Sequence, residues 1–355
     1  MTTDNDQTES IAARVAQAGQ AGTALELRGS ASKAFYGRRP RGEPLDLSGH
    51  RGVISYEPSE LVITARAGTP LDELERALAE GGQVLPFEPP RFGAGGTLGG
   101  AVASGLSGPR RPFAGAVRDF VLGTRIVNGR GQVLRFGGEV IKNVAGYDLS
   151  RLAAGALGTL GVLLEISLRL LPRSEAEASL ALEAAPDSLY ALTEDWLRAG
   201  VPVSASAHDG ERLLVRLSGS ESAVADGARR IGGSPLPDAD GFWAGLRDHS
   251  LAFFAGDGPL WRLALPPAAP LPEVEGERLL DWAGRQCWLR SDAAPAAMRD
   301  AARRLGGHAE LFRGGDREGE VFHPLDDALL DIHRRLRQSM DPQGILNPGR
   351  LYTAL

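Results

Sequence analysis

One cysteine, Cys287, and two lysines, Lys33 and Lys142, stand in a chain of 355 residues. A lone thiol has no internal disulfide partner and cannot build a thiolate zinc site, so we expect a reducing compartment and no structural metal. The histidines His50, His208, His249, His308, His323 and His333 show neither H-x-H nor H-E-x-x-H spacing, so no metal or zinc-hydrolase site is readable here. Long apolar runs are missing as well. Met1 to Ser10 carries Asp4, Asp6 and Glu9 where a secretory leader would place positive charge ahead of an apolar stretch. The expectation is a cytoplasmic protein without a membrane span, reaching the inner face of a membrane only through partners. No uninterrupted basic run exceeds the two residues of Arg110-Arg111 or Arg334-Arg335, and the net charge is −6. Clustered positive charge is what a phosphate backbone demands, so nucleic acid is not an expected partner.

What is present is the composition of a folded protein: 43% hydrophobic and 24% charged residues, at a length that predicts two domains of roughly 150 residues each. Arginine supplies the basic residues other than the two lysines. A lysine in that background marks either chance or a place where a compact ammonium works and a planar guanidinium does not.

The first half is glycine-rich, with short strands and few helices. Ile11 to Ala18 reads as a short helix, and Ala24 to Arg28 as a strand running into Gly29. Val53 to Tyr56 and Leu61 to Ala65 read as strands joined by Glu57-Pro58-Ser59-Glu60. Thr69 as N-cap, Pro70 at the first helical position and Leu71, Leu74 and Leu78 at spacings of three and four predict a helix ending at Gly81-Gly82. Strand-like runs follow at Phe120 to Val127, Gln132 to Phe136 and Gly161 to Leu171, with Asn128-Gly129 as a hairpin turn. From Ser179 the pattern alternates: strands near 179–183, 203–207, 212–217 and 309–312, and helices over 186–199, 221–230, 295–305 and 325–340. Phe242-Trp243 and Leu251 to Phe254 read as a core helix or, less readily, as partner contact.

Seven glycines fall between Gly93 and Gly108. Glycine lets backbone N–H groups approach a phosphate closely. The cluster is not the Rossmann fingerprint, since it follows Glu88-Pro89-Pro90 instead of an N-terminal strand, and neither lysine sits in a P-loop context. Five stretches occur with it in order: Arg28-Gly29-Ser30-Ala31-Ser32-Lys33, Gly108-Pro109-Arg110-Arg111-Pro112, Arg118 to Gly123, Phe136 to Leu149 and Gly155 to Val162. Over residues 25–173 this set resembles the FAD-binding domain of the vanillyl-alcohol oxidase and p-cresol methylhydroxylase flavoproteins. Within that superfamily it is most similar to the FAD-binding subunits of bacterial glycolate-oxidising complexes. Asp341 to Arg350 adds a shorter match.

The resemblance implies an α+β fold: a two-subdomain PCMH-type FAD-binding domain over 1–173, an α+β cap domain over 174–340, and a tail over 341–355 returning to the flavin domain. It implies a first pyrophosphate loop at Gly29, Ser30, Ala31, Ser32 and Lys33, preceding a Pro89 loop, and a second at Gly96, Thr97, Gly99 and Gly100. Ser104 and Gly105 would continue along the flavin, Gly161 and Val162 would hold the adenosine end through their backbone, and Asn347 would close over the site. Arg111 could fork onto the pyrophosphate or simply be solvated; Gly161 could be a strand-entry glycine and Asn347 a turn residue. Lys142 could pair with Asp148 or reach the flavin edge, and Asp119 reads as a turn or cap.

Two departures sharpen the expectation. Many members attach FAD through a histidine of the first loop, and this loop has none, which implies noncovalent FAD. Members that oxidise 2-hydroxy acids directly share a closely spaced histidine pair at a metal site, and this chain has none, which leaves the catalytic residues unknown. The implied role is an electron-relaying FAD subunit, with a sister FAD-linked 2-hydroxy acid oxidase subunit and an iron–sulfur subunit as partners. The alternatives are a self-sufficient FAD oxidoreductase acting on its own small alcohol or hydroxy acid, and an assembly subunit without functional flavin.

Overall fold

The computed structural model describes residues 4–93, 95–138 and 148–355. Lys142, Asn143 and Tyr147, and with them the expected Lys142–Asp148 pair, lie outside the described residues. Chain order begins with a helix, Thr8–Ala21, whose buried Ile11, Val15 and Ala18 recur at the three-to-four spacing of one helical face. It covers a small parallel ladder of Leu25–Arg28 against Glu43–Asp46. Leu346 of the tail bridges Leu25 in parallel, so the last residues of the protein extend its first strand pair.

The second subdomain is an antiparallel sheet in the order Val53–Glu57, Val62–Arg66, Val162–Arg169, Val121–Val127, Val133–Gly137. Helix Leu71–Glu80 buries Leu71, Leu74 and Leu78 completely against Ile63, Ile166 and Leu168 of this sheet. Each such side chain contributes roughly 1.5–3 kcal/mol by leaving water. The N-cap expectation for Thr69 is corrected: Pro70 occupies that position, and the buried Thr69 hydroxyl accepts from Gly52 N at 3.0 Å and donates to Gly52 O at 3.2 Å. A threonine enclosed by backbone on the sheet side finds its partners there before it can turn back onto its own helix. Asp119 is a cap, accepting from Ala116 N at 2.8 Å. Asn128 closes its hairpin by accepting from Arg130 N and Gln132 N, both at 3.0 Å.

The second half is an eight-stranded antiparallel sheet, in the order 234–235, 176–182, 213–219, 203–208, 277–281, 286–290, 260–264, 308–313. Helices Leu189–Arg198, Glu221–Ile231 and Pro295–Arg304 cover one face. The other face meets helix Ala239–Asp248 together with Tyr36, Leu106 and Leu157 of the first half, so the core crosses the domain junction. Trp243 and Phe254 are buried in that core, and Trp243 Nε1 donates to Ser179 Oγ at 2.9 Å, which assigns this stretch to packing. Strands Leu260–Ala264, Glu277–Asp281 and Gln286–Arg290 have no counterpart in the sequence reading.

Candidate functional site

Where the first strand pair, the glycine-rich helix and the tail converge, they leave a cleft of about 910 Å³, its open mouth included. One wall is the loop Gly29 to Ala34. Facing it are Thr97, Gly99, Gly100 and Ser104 of the helix Leu98–Ser104 and its cap, then Leu157, Gly158 and Gly161. Glycine is required where backbones approach. A Cβ on Gly29 would stand 2.6 Å from Thr97 Oγ1, and one on Gly99 2.7 Å from the Ala67 Cβ. Thr97 caps its helix by accepting from Gly100 N at 3.2 Å. Ala31, at the tip of the first loop, takes the left-handed conformation at φ 58°, which most L-residues avoid.

Two tail residues brace the walls of the cleft. Asn347 accepts from Leu27 N at 2.8 Å and donates to Leu157 O at 2.6 Å, joining the first strand to the turn that forms the opposite wall. The Arg350 guanidinium donates to Ala34 O at 3.0 Å and also to Arg38 O. Burial pushes its pKa down to about 10. Arg350 lines the cleft and lay within a recognised stretch, yet no role could be read for it, because its partners are backbone carbonyls.

Lys33 belongs to the lining loop, but its Nζ is buried against Phe92 and Gly96, neither of which lines the cleft, and it has no hydrogen-bond partner among the described residues. Burial pushes it down to about 8, with the Asp248 charge opposing the shift.

The structure brings the first loop, Thr97, Gly99, Gly100, Ser104, Gly161 and Asn347 together on one cleft. The rest of the sequence-derived set sits elsewhere. Gly96 stands behind Lys33. Gly105 ends its helix and packs on Gly155. Val162 points into the core. Pro89 lies outside the cleft lining, as does Arg111, whose guanidinium stacks 4.2 Å from the Trp282 ring of the second half.

No group of three or more His, Cys, Asp or Glu side chains that could hold a metal ion occurs among the described residues. Burial pushes the Cys287 thiol up to about 12. His249 lies behind Phe92, stacked on Phe254 at 3.9 Å, and burial holds it far below the ordinary imidazole value and therefore neutral. A cradle walled by close-approach glycines fits a cofactor bearing phosphates.

Residues 5–137 match the FAD binding domain family. Over 355 residues, 100% of both chains, the protein is 47% identical to glycolate oxidase subunit GlcE of Escherichia coli K12. The chain belongs to the GlcE family. It is also 29% identical to glycolate oxidase subunit GlcD of Bacillus subtilis, covering 84% of this chain and 77% of that one. Among solved structures, alkyldihydroxyacetonephosphate synthase superposes with a TM-score of 0.68 at 15% identity, covering 97% of this chain and 74% of that one. That likeness shows the shared fold. The GlcE-family chain thus has the expected PCMH-type α+β architecture, and its cofactor is FAD.

Proposed function

We propose that this chain holds FAD noncovalently in the cleft between the first loop and the tail, and acts as the FAD-binding subunit of a glycolate-oxidising complex. The observation that carries the reading is the cleft itself, walled by glycines where backbones approach, in a chain that matches a glycolate oxidase subunit from end to end. FAD would supply the two-electron chemistry. The chain's own residues bind and orient it: the first loop and Thr97 to Gly100 offer backbone groups, Arg350 fixes the end of the loop, and Asn347 ties the first strand to the opposite wall. A sister FAD-linked 2-hydroxy acid oxidase subunit would oxidise the hydroxy acid, and an iron–sulfur subunit would take the electrons onward. Supporting this division, the described lining of the cleft holds no histidine, and His249 beyond Phe92 is enclosed by aromatic rings.

The lining of the cleft holds no His, Cys or Tyr among the described residues, so the described lining supplies none of these side chains to bond the flavin methyl group. Acid precipitation of the purified protein is expected to release all the flavin into the supernatant. A yellow pellet would contradict noncovalent binding, and a protein without flavin absorbance after purification with added FAD would contradict the cofactor site.

A further inference from the structure

Glu26 carries the only carboxylate among the described residues that line the cleft. It stands on strand Leu25–Arg28, where successive side chains point to opposite faces. Leu25 is buried beneath helix Thr8–Ala21 and Leu27 packs on the same core, so Glu26 and Arg28 share the other face, and both line the cleft. Arg28 donates to Glu26 Oε2 at 2.6 Å. The Glu26 side chain is 12% exposed and that of Arg28 47%, so the guanidinium lies on the solvent side and the carboxylate on the inner side of the pair. The Glu26 charge also reaches Arg350, another lining residue. Its second oxygen, Oε1, accepts no hydrogen bond from the described residues. A half-exposed ion pair contributes little to stability. Beside a cradle for phosphates a carboxylate is repulsive, so its place there calls for donors brought by the ligand itself.

We propose that Glu26 is a specificity residue of the cleft: its carboxylate, oriented by Arg28, accepts hydrogen bonds from sugar hydroxyls of FAD. The inference rests on the FAD reading and adds the part of the cofactor that this side chain reads.

FAD presents sugar hydroxyls on both sides of its pyrophosphate, the ribose diol of the adenosine half and the ribitol chain of the flavin half. A carboxylate accepts from a hydroxyl in a short, charge-assisted bond, and acidic side chains take ribose hydroxyls in this way in other dinucleotide sites. Glu26 precedes the first loop on the strand that feeds it, beside the backbone groups offered to the phosphates, where a sugar adjoining the pyrophosphate would lie. The sign of one substitution separates this role from a purely structural one. If Glu26 accepts from a hydroxyl, Glu26→Gln removes a charged acceptor and weakens FAD. If Glu26 only pairs with Arg28, the same change relieves repulsion of the pyrophosphate, and FAD binds as well or more tightly. A site built to hydrogen-bond a hydroxyl also rejects the analogue that lacks it.

The test is titration of the flavin-free full chain with FAD, ADP, 2′,3′-dideoxy-ADP and FMN, for wild type, Glu26→Gln and Arg230→Gln. Glu26→Gln should bind FAD about 10- to 100-fold more weakly with an unchanged urea denaturation curve. Arg230→Gln, on the helix Glu221–Ile231 away from the cleft, should match wild type. If the ribose is the donor, wild type prefers ADP to its dideoxy form by a similar factor, Glu26→Gln loses that preference, and FMN binds both proteins alike. If the ribitol chain is the donor, Glu26→Gln loses affinity for FMN while ADP binds both alike. Equal or tighter FAD binding by Glu26→Gln would overturn the proposal. So would a weakening of FAD that changes neither the preference for ADP over its dideoxy form nor the affinity for FMN. Absence of FAD binding by wild type would instead overturn the FAD reading itself.

Discussion

Asn347 does with one amide what a longer segment would otherwise need to do. Its left-handed backbone, φ 42°, turns the tail so that the carbonyl oxygen meets Leu27 N and the amide nitrogen meets Leu157 O. Both partners are backbone groups of cleft walls, so the residue fixes the width of the cleft. Asn347→Asp keeps the acceptor and removes the donor, leaving a carboxylate against a buried carbonyl oxygen. We expect a loss of about 1–3 kcal/mol in unfolding free energy, with weaker FAD binding, measured by urea denaturation and FAD titration. Unchanged stability would mean that the tail is held elsewhere. At this scale the sequence showed which loops gather, because Gly29, Thr97 and Gly99 belong to recognisable runs. It could not show that Arg350 braces the first loop, that Asp248 would accept from Arg91 N, or that Arg111 would lean on Trp282, because each depends on a partner more than a hundred residues away.

Elements were legible in proportion to how fully one face decides their pattern. Helix Leu71–Glu80 is amphipathic, with Leu71, Leu74 and Leu78 buried and Asp72 and Glu73 at its start, where a helix N-terminus favours negative charge. Leu74→Ala removes a completely buried side chain beneath the sheet, and about 2–5 kcal/mol of stability should go with it. A loss below 1 kcal/mol in chemical denaturation would show that this packing is loose. Strands Leu260–Ala264 and Gln286–Arg290 escaped notice because they lie in the middle of a sheet covered on both faces. Such strands lose the alternation that marks a half-exposed strand. Leu260-Trp261 and Leu263 are buried, while Arg262, within the same strand, is paired with Glu310 at 2.8 Å across the sheet. An arginine in a short apolar run reads as a loop until its carboxylate is found.

The whole molecule is joined across its two halves by polar contacts that continue from the glycine-rich segment. Gly108 O accepts from Trp282 Nε1 at 3.0 Å, and Glu88 accepts from Arg216 of the second half at 2.7 Å and from Arg110 N at 2.9 Å. Beneath Trp282, Asp281 accepts from Trp282 N at 2.7 Å and from Gln286 Nε2 at 3.2 Å. Burial, with the Glu88 charge adding to it, raises Asp281 to about 7. Between the ordinary aspartate value and pH 7 the folded protein therefore keeps a proton that the unfolded chain releases. The stabilisation is complete in acid and is lost as pH rises through 7. Asp281→Asn, which cannot ionise, should lose less stability than wild type between pH 5 and pH 8 in thermal or urea unfolding. Parallel curves for the two proteins would place the pH dependence elsewhere.

The second half of the chain offers a packed sheet, a neutral enclosed histidine and ion pairs whose members are already partnered, while the first half offers a cofactor cleft. Among the described residues the cleft lining holds no histidine, and a flavin without a base beside it is suited to passing electrons and poorly suited to taking a proton from a hydroxy acid. The decisive measurement is anaerobic mixing of the purified, FAD-loaded single chain with glycolate, followed by its visible spectrum. The account predicts a flavin that stays oxidised until a second flavoprotein and an iron–sulfur subunit are co-expressed with it. Bleaching within seconds by the chain alone would contradict it.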